Sequence, residues 1–162
     1  MAIRVGINGL GRIGRGFLRD AIVSKDLEVV AVNDVGDPAV LAHLIRHDSL
    51  AGRLDRDVRA TEGRLVVDGR AIRCTRIPSP ARIPWGEAGA DLVIEATGCF
   101  TARARRGSAC GASTSTWLLV TQWTVVIAAR SIPKASSITI RIPAMACVVQ
   151  EAPETTRWTA GS

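Results

Sequence analysis

The residues best placed to do chemistry are three glycines and one carboxylate. Gly9-Leu10-Gly11-Arg12-Ile13-Gly14 follows the spacing G-x-G-x-x-G, and Asp34 stands 20 residues past the last glycine. Each glycine has a mechanical task in a phosphate-binding turn. Gly9 permits a sharp exit from a strand, Gly11 lets a pyrophosphate approach the backbone, and Gly14 lets a helix pack closely on that strand. A helix starting here aims its unpaired N–H groups and the positive end of its dipole at the phosphates, with Arg12 and Ile13 supplying amide donors. A carboxylate at position 34 can accept hydrogen bonds from the two hydroxyls of an adenine ribose. It also repels a 2′-phosphate, which favours NAD over NADP. The competing reading makes the glycines a plain connection and Asp34 a turn or capping residue before Gly36. The neighbouring elements decide between the two.

Those elements come in the required order. Ile3-Arg4-Val5-Gly6-Ile7 reads as a short buried strand running into the glycines. Ile13, Phe17, Leu18, Ala21 and Ile22 then recur at helical spacing, and the helix is expected to end near Ser24. Leu27 to Val32 is rich in β-branched side chains and predicts a second strand with Asp34 just beyond it. Strand, helix and strand within about 30 residues is the length of a βαβ unit. A second helix is expected from Pro38 through Leu41, Leu44 and Ile45. Val58 to Arg73 reads as short strands joined at Glu62-Gly63 and Asp68-Gly69, the latter a strong hairpin signal. Pro78, Pro80 and Pro84 mark an extended, irregular crossing before a last buried strand, Asp91 to Ala96, which ends at Thr97-Gly98.

After about Ala102 the style of the sequence changes. Three of the four tryptophans (Trp117, Trp123 and Trp158) and only three of the 15 glycines lie there, and acidic residues nearly vanish until Glu151. Two apolar runs, Trp117 to Ala129 and Ile138 to Ile142, could pair as strands. The expected fold class is therefore α/β. Residues 1–102 form an incomplete Rossmann-like parallel sheet, and residues 103–162 an irregular or β-rich tail. A parallel sheet is stable when both faces are covered, so an incomplete second half leaves open edges unless tail strands close them.

Composition narrows the classes. At 162 residues with 47% hydrophobic side chains, the chain has room for one globular domain with a real core, or for a domain plus a short appendage. No apolar stretch is long enough for a membrane-spanning helix and no secretory leader is read, so a cytoplasmic location is the default. The cysteines at 74, 99, 110 and 147 form no C-x-x-C pair and are expected to be free thiols; no metal site is read. The net charge of +6 is uneven, with 14 basic and 13 acidic side chains in residues 1–102 against seven and two in 103–162. Apart from Arg103, Arg105 and Arg106, the tail's basic residues are scattered and make no dense arm, which weighs against nucleic acid as a partner.

Five blocks, in order, resemble the glyceraldehyde-3-phosphate dehydrogenase family. They are Val5 to Arg15 (VGINGLGRIGR), Ala31-Val32-Asn33-Asp34, Asp48-Ser49 with Gly52-Arg53, Ile83-Pro84-Trp85-Gly86, and Ile94 to Thr101 (IEATGCFT). Erythrose-4-phosphate dehydrogenases share such blocks. The resemblance implies an NAD-binding Rossmann domain from an enzyme that oxidises and phosphorylates an aldehyde. By it, Arg12, Ile13 and Asp34 contact the pyrophosphate and adenosine, Thr97 and Gly98 lie near the nicotinamide half, and the family assembles as a homotetramer. Pro78-Ser79-Pro80 stands where the family often has an arginine-aspartate-proline step.

The resemblance stops near residue 102. The family's serine-cysteine-threonine-threonine-asparagine-cysteine segment, which carries the nucleophile, has no counterpart here. Cys147 sits in Ala144-Met145-Ala146-Cys147-Val148-Val149, and no histidine follows it. His43 and His47 read as surface helix residues. Aldehyde oxidation needs a thiolate to attack the carbonyl and a histidine to activate it. No catalytic residue is assigned, and the chain as written is not expected to turn over. Three readings follow: an NAD half joined to a tail read in a shifted frame, a non-catalytic NAD-binding regulatory module, and a basic nucleic-acid-binding protein supported only by tail charge.

Overall fold

The computed structural model describes residues 2–99, together with the strand backbones of 116–120, 125–129, 138–142 and 145–149. Strand β1 (Ile3–Asn8), helix α1 (Arg12–Val23) and strand β2 (Leu27–Asn33) make the expected βαβ unit. Helix α1 begins inside the glycine turn and ends where the Ser24 N–H reaches back to the carbonyls of Asp20 and Ala21, both at 3.2 Å. Helix α2 (Pro38–Arg46) has proline in its first turn, and Asp37 caps it through Oδ1, which accepts from the amides of Ala39 (2.8 Å) and Val40 (3.3 Å). A two-residue pair follows, β3 (His47–Asp48) with β4 (Gly52–Arg53).

Strands β5 (Val58–Thr61), β6 (Arg64–Val67) and β7 (Arg70–Thr75) form an antiparallel meander that turns at Glu62-Gly63 and Asp68-Gly69. Asp68 and Gly69 have φ of 49° and 80°, the double positive φ that suits a tight two-residue hairpin. Strand β7 then lies parallel to β2, and β8 (Leu92–Glu95) lies parallel to β1 on its other side. Four parallel strands, in the order β7-β2-β1-β8, form the centre of the sheet.

Both faces of this centre are covered, by different means. On one face Val5, Ile7, Val32, Leu92 and Ile94 pack with Phe17, Leu18 and Ala21 of α1 and Leu41 and Ile45 of α2. Each large aliphatic side chain buried here is worth about 1.5–3 kcal/mol. On the other face no helix is present among the described residues. The proline-marked crossing lies there instead, with only a short helical turn at Pro80–Arg82, and it lays Ile83, Trp85 and Ala90 against Ala31 and Val93. Trp85 packs so tightly over β1 that a Cβ on Gly6 would stand 2.7 Å from its ring.

The tail segments are strands β9 (Thr116–Val120), β10 (Val125–Ala129), β11 (Ile138–Ile142) and β12 (Met145–Val149). Strand β10 runs antiparallel along β8, with Ile127 opposite Ile94, and β9 joins β10, so the edge of β8 is paired and not open. Strands β11 and β12 form a separate pair; β12, which carries Cys147, was not anticipated. Phe100, Thr101, Arg103, Arg105, Arg106, Cys110, Trp123, Glu151 and Trp158 lie outside the described residues. Among the described residues, no helix is long and apolar enough to cross a membrane.

Candidate functional site

The glycine turn lies at the carboxyl end of β1, between the ends of β2 and β8. Gly9 has a φ of +92°, and a Cβ there would sit 2.7 Å from the Thr97 nitrogen, so only a glycine lets the chain leaving β8 lie against the turn. Gly14 is buried, and a Cβ on it would be driven into the Gly9 carbonyl oxygen. Gly11 is different. It is exposed, and among the described residues a Cβ there would meet only the Ala96 carbonyl oxygen at 4.0 Å, so nothing described covers this part of the backbone.

Gly11 is also the N-cap of α1, with no side-chain hydrogen bond and no acidic residue in the first turn. The first N–H groups of a helix have no partner inside it. Uncapped, they offer an anion both donors and the positive end of the dipole. Arg12 is exposed at this point, while Ile13 is half-buried against the core.

Asp34 does two things at once. Its Oδ2 accepts from the Leu10 amide at 2.6 Å, which clasps the glycine turn, and its Oδ1 accepts from the Gly36 amide at 2.8 Å, which makes it a turn residue as well. The carboxylate is only half-buried, and each oxygen keeps a lone pair free for a further donor. The two readings of this residue are thus compatible.

A second clasp was missed from the sequence. Arg15 donates to the Leu10 carbonyl at 3.0 Å and to Asp48 Oδ2 at 3.1 Å. Asp48 Oδ1 accepts from the amides of Leu50 (2.9 Å) and Ala51 (3.0 Å). The Ala51 and Leu50 amides, with Arg15 behind them, hold the Asp48 carboxyl down at about 2. Because that is below the ordinary value near 4, its stabilising contribution is fully present above about pH 4 and disappears as pH falls towards 2. Asp48→Asn is therefore expected to be less stable than the parent at pH 7, with the gap closing below pH 4. Urea melts at pH 7 and at pH 2.5 check this, and a gap of equal size at both would exclude the ionic hold.

Thr97 lies beside Gly9 at the mouth of the turn. Its amide donates to Glu95 Oε1 at 2.8 Å and its hydroxyl donates to the same oxygen, while the hydroxyl accepts from the Cys99 amide at 3.1 Å. Gly98 follows, exposed, at a φ of +72°. Glu95 itself is buried, and burial pushes its carboxyl up against the pull of the Thr97 and Asn8 hydrogen bonds.

Gly9, Gly11, Arg12, Ile13, Gly14, Asp34 and Thr97 therefore surround one turn, with Gly98 at its rim. Asn8, Arg15, Asn33, Asp48 and Glu95 support them from behind. Their signal was readable in part: Glu95 interrupts an apolar strand, and Asn8 and Asn33 each end one. His43 and His47 are both exposed, with rings 4.7 Å apart, but only His43 is on α2; His47 lies just past the helix end and begins β3. Cys74 is buried, and its thiol is pushed up by that burial and by the Asp34 charge, away from nucleophilic character. Among the described residues no group of His, Cys, Asp or Glu is arranged to hold a metal ion.

Comparison with known proteins agrees with this geometry. The family model described as glyceraldehyde 3-phosphate dehydrogenase, NAD binding domain, matches residues 3–103. Glyceraldehyde-3-phosphate dehydrogenase of Streptomyces coelicolor is 52% identical over 105 residues, covering 64% of this chain and 31% of the relative. That of Geobacillus stearothermophilus is 50% identical over 103 residues, with the same two coverages of 64% and 31%. Glyceraldehyde-3-phosphate dehydrogenase 1 of Bacillus subtilis is 48% identical over 104 residues, again covering 64% of the chain and 31% of the relative. The chain thus spans about a third of the length of the curated relatives it matches. The matched part holds the whole glycine turn, Asp34 and Thr97, and its cofactor is NAD. Through this NAD-binding domain, the chain belongs to the glyceraldehyde 3-phosphate dehydrogenase family.

Proposed function

We propose that residues 1–102 bind NAD through the glycine turn and that the chain by itself does not oxidise an aldehyde. The amides at the start of α1, those of Arg12 and Ile13 among them, take the pyrophosphate. The bare backbone of Gly11 lets it approach, and Gly9 and Gly14 hold the turn in shape. Asp34 accepts from the adenine-ribose hydroxyls while keeping its hold on Leu10, and Thr97 and Gly98 border the nicotinamide half. Bound there, NAD supplies a hydride acceptor. The thiolate and histidine that aldehyde oxidation needs have no matching segment in residues 1–162. The observation that carries this reading is the N-terminus of α1 at Gly11, uncapped and uncovered among the described residues, next to a carboxylate already bonded to the same turn.

Calorimetry on the full chain tests it. NAD is expected to release measurable heat and NADP to bind at least about tenfold more weakly, because a 2′-phosphate meets Asp34. A folded chain that gives no heat with NAD overturns the proposal. The same reading treats residues 103–162 as a tail in a shifted reading frame, with the family's tetramer and cytoplasmic location belonging to the unshifted protein. Retranslating the gene with one nucleotide added or removed upstream of codon 103 should restore family-like sequence, and failure in every frame removes that part.

A further inference from the structure

At the carboxyl ends of the four parallel strands, the register sets four polar residues side by side. Asn33 pairs with Thr75, Asn8 with Asn33, and Glu95 with Asn8. Alternation along each strand puts them on the face covered by the crossing, beyond Gly6, Ala31 and Val93. Asn8, Asn33 and Glu95 are only 2%, 3% and 2% exposed. The Ile77 amide (2.9 Å) and the Thr75 hydroxyl (2.8 Å) donate to Asn33 Oδ1. Asn33 Nδ2 donates to the Ile77 carbonyl (3.1 Å) and to Asn8 Oδ1 (2.8 Å). Asn8 Nδ2 donates to Glu95 Oε2 at 2.5 Å, and Glu95 Oε1 accepts both donors of Thr97.

This buried line starts at the crossing that follows β7 and ends on the turn beside Gly9. An apolar side chain at any of these positions would avoid the cost of burying a polar group. What the polar set adds is direction, because donors and acceptors alternate along the line and rotating one amide unpairs its neighbour. The room for error at the far end is small, since a Cβ on Gly9 would already meet the Thr97 nitrogen at 2.7 Å.

We propose that Glu95, oriented through Asn8 by Asn33, is a positioning residue that fixes the Thr97 peptide against the glycine turn and links it to the crossing at Ile77. Its effect on NAD rests on the function proposed above, whereas its effect on Thr97 does not. The test exchanges polarity. Glu95→Gln keeps an oxygen for Thr97 but turns an amide NH₂ towards the Asn8 NH₂, donor against donor. Asn8→Asp sets two carboxylates face to face. The double variant Asn8→Asp/Glu95→Gln restores one donor and one acceptor, and the second oxygen at position 8 still accepts from Asn33.

Calorimetry with NAD is expected to show affinity reduced about tenfold in Glu95→Gln and more in Asn8→Asp, with the double variant within about threefold of the parent. Hydrogen exchange at the Thr97 amide should quicken about tenfold in each single variant and slow again in the double. Single variants that match the parent in exchange, or a double no better than the weaker single, overturn the proposal. If the parent itself does not bind NAD, the NAD reading falls and Thr97 exchange alone decides this one. If a single variant does not fold, a folded double with parent-like Thr97 exchange supports the positioning role, and an unfolded double overturns it.

Discussion

Gly14→Ala is expected to cost about 3 kcal/mol of folding stability, although alanine is intrinsically the better helix residue by about 1 kcal/mol. The added methyl has no direction in which to relax. It is driven into the Gly9 carbonyl oxygen, and the Gly9 amide is itself held by the Asn33 carbonyl at 2.8 Å. On its other side Gly9 is blocked by the Thr97 backbone. Helix α1 must therefore lift off the sheet, and Phe17 and Leu18 come with it. Gly11→Ala is the control. Its extended backbone (φ −66°, ψ −165°) suits any residue and its Cβ meets no described atom closer than 4.0 Å, so stability should fall by less than about 1 kcal/mol. Its NAD affinity should nevertheless drop at least about tenfold, because the methyl stands where the pyrophosphate is proposed to approach. Urea melts and calorimetry on both variants separate the two roles. Equal stability losses would mean that the helix–turn contact at Gly14 has room for a methyl group.

Asp34→Ala is expected to weaken NAD binding by at least about a hundredfold, on the basis of roughly 1.5–3 kcal/mol for each of two hydrogen bonds to a charged group. The substitution removes the acceptor proposed for the ribose hydroxyls. It also frees the Leu10 and Gly36 amides that the carboxylate now holds at 2.6 and 2.8 Å. Discrimination against NADP should narrow in the same variant, since the charge proposed to repel the 2′-phosphate has gone. Titrations with both nucleotides check this. A change of less than about threefold for NAD would show that Asp34 holds only the turn.

Much of the architecture could be read along the chain because it is local. Glycines at 9 and 14, the spacing of Ile13, Phe17 and Leu18, proline at 38 and the Asp68-Gly69 turn each act within a few residues, and each element formed where expected. What could not be read was what covers the second sheet face. No period marks Ile83 and Trp85 as core, because they lie in an irregular segment whose burial depends on Gly6, more than 75 residues earlier. The support behind the site was hidden for a similar reason. Asn8 and Asn33 end strands as ordinary loop-edge residues do, and only the strand register sets them against Glu95.

By itself the sequence determined the glycine turn, the carboxylate at position 34 and the βαβ unit around them, since backbone conformation and short-range spacing specify these. Only the tertiary structure decided that Arg15 and Asp48 brace that turn and that Asn33, Asn8 and Glu95 form one buried line. It also decided that β10 closes the edge of β8. These depend on which strands become neighbours and in what register. That choice comes from packing the whole sheet, and no stretch of a few residues carries it.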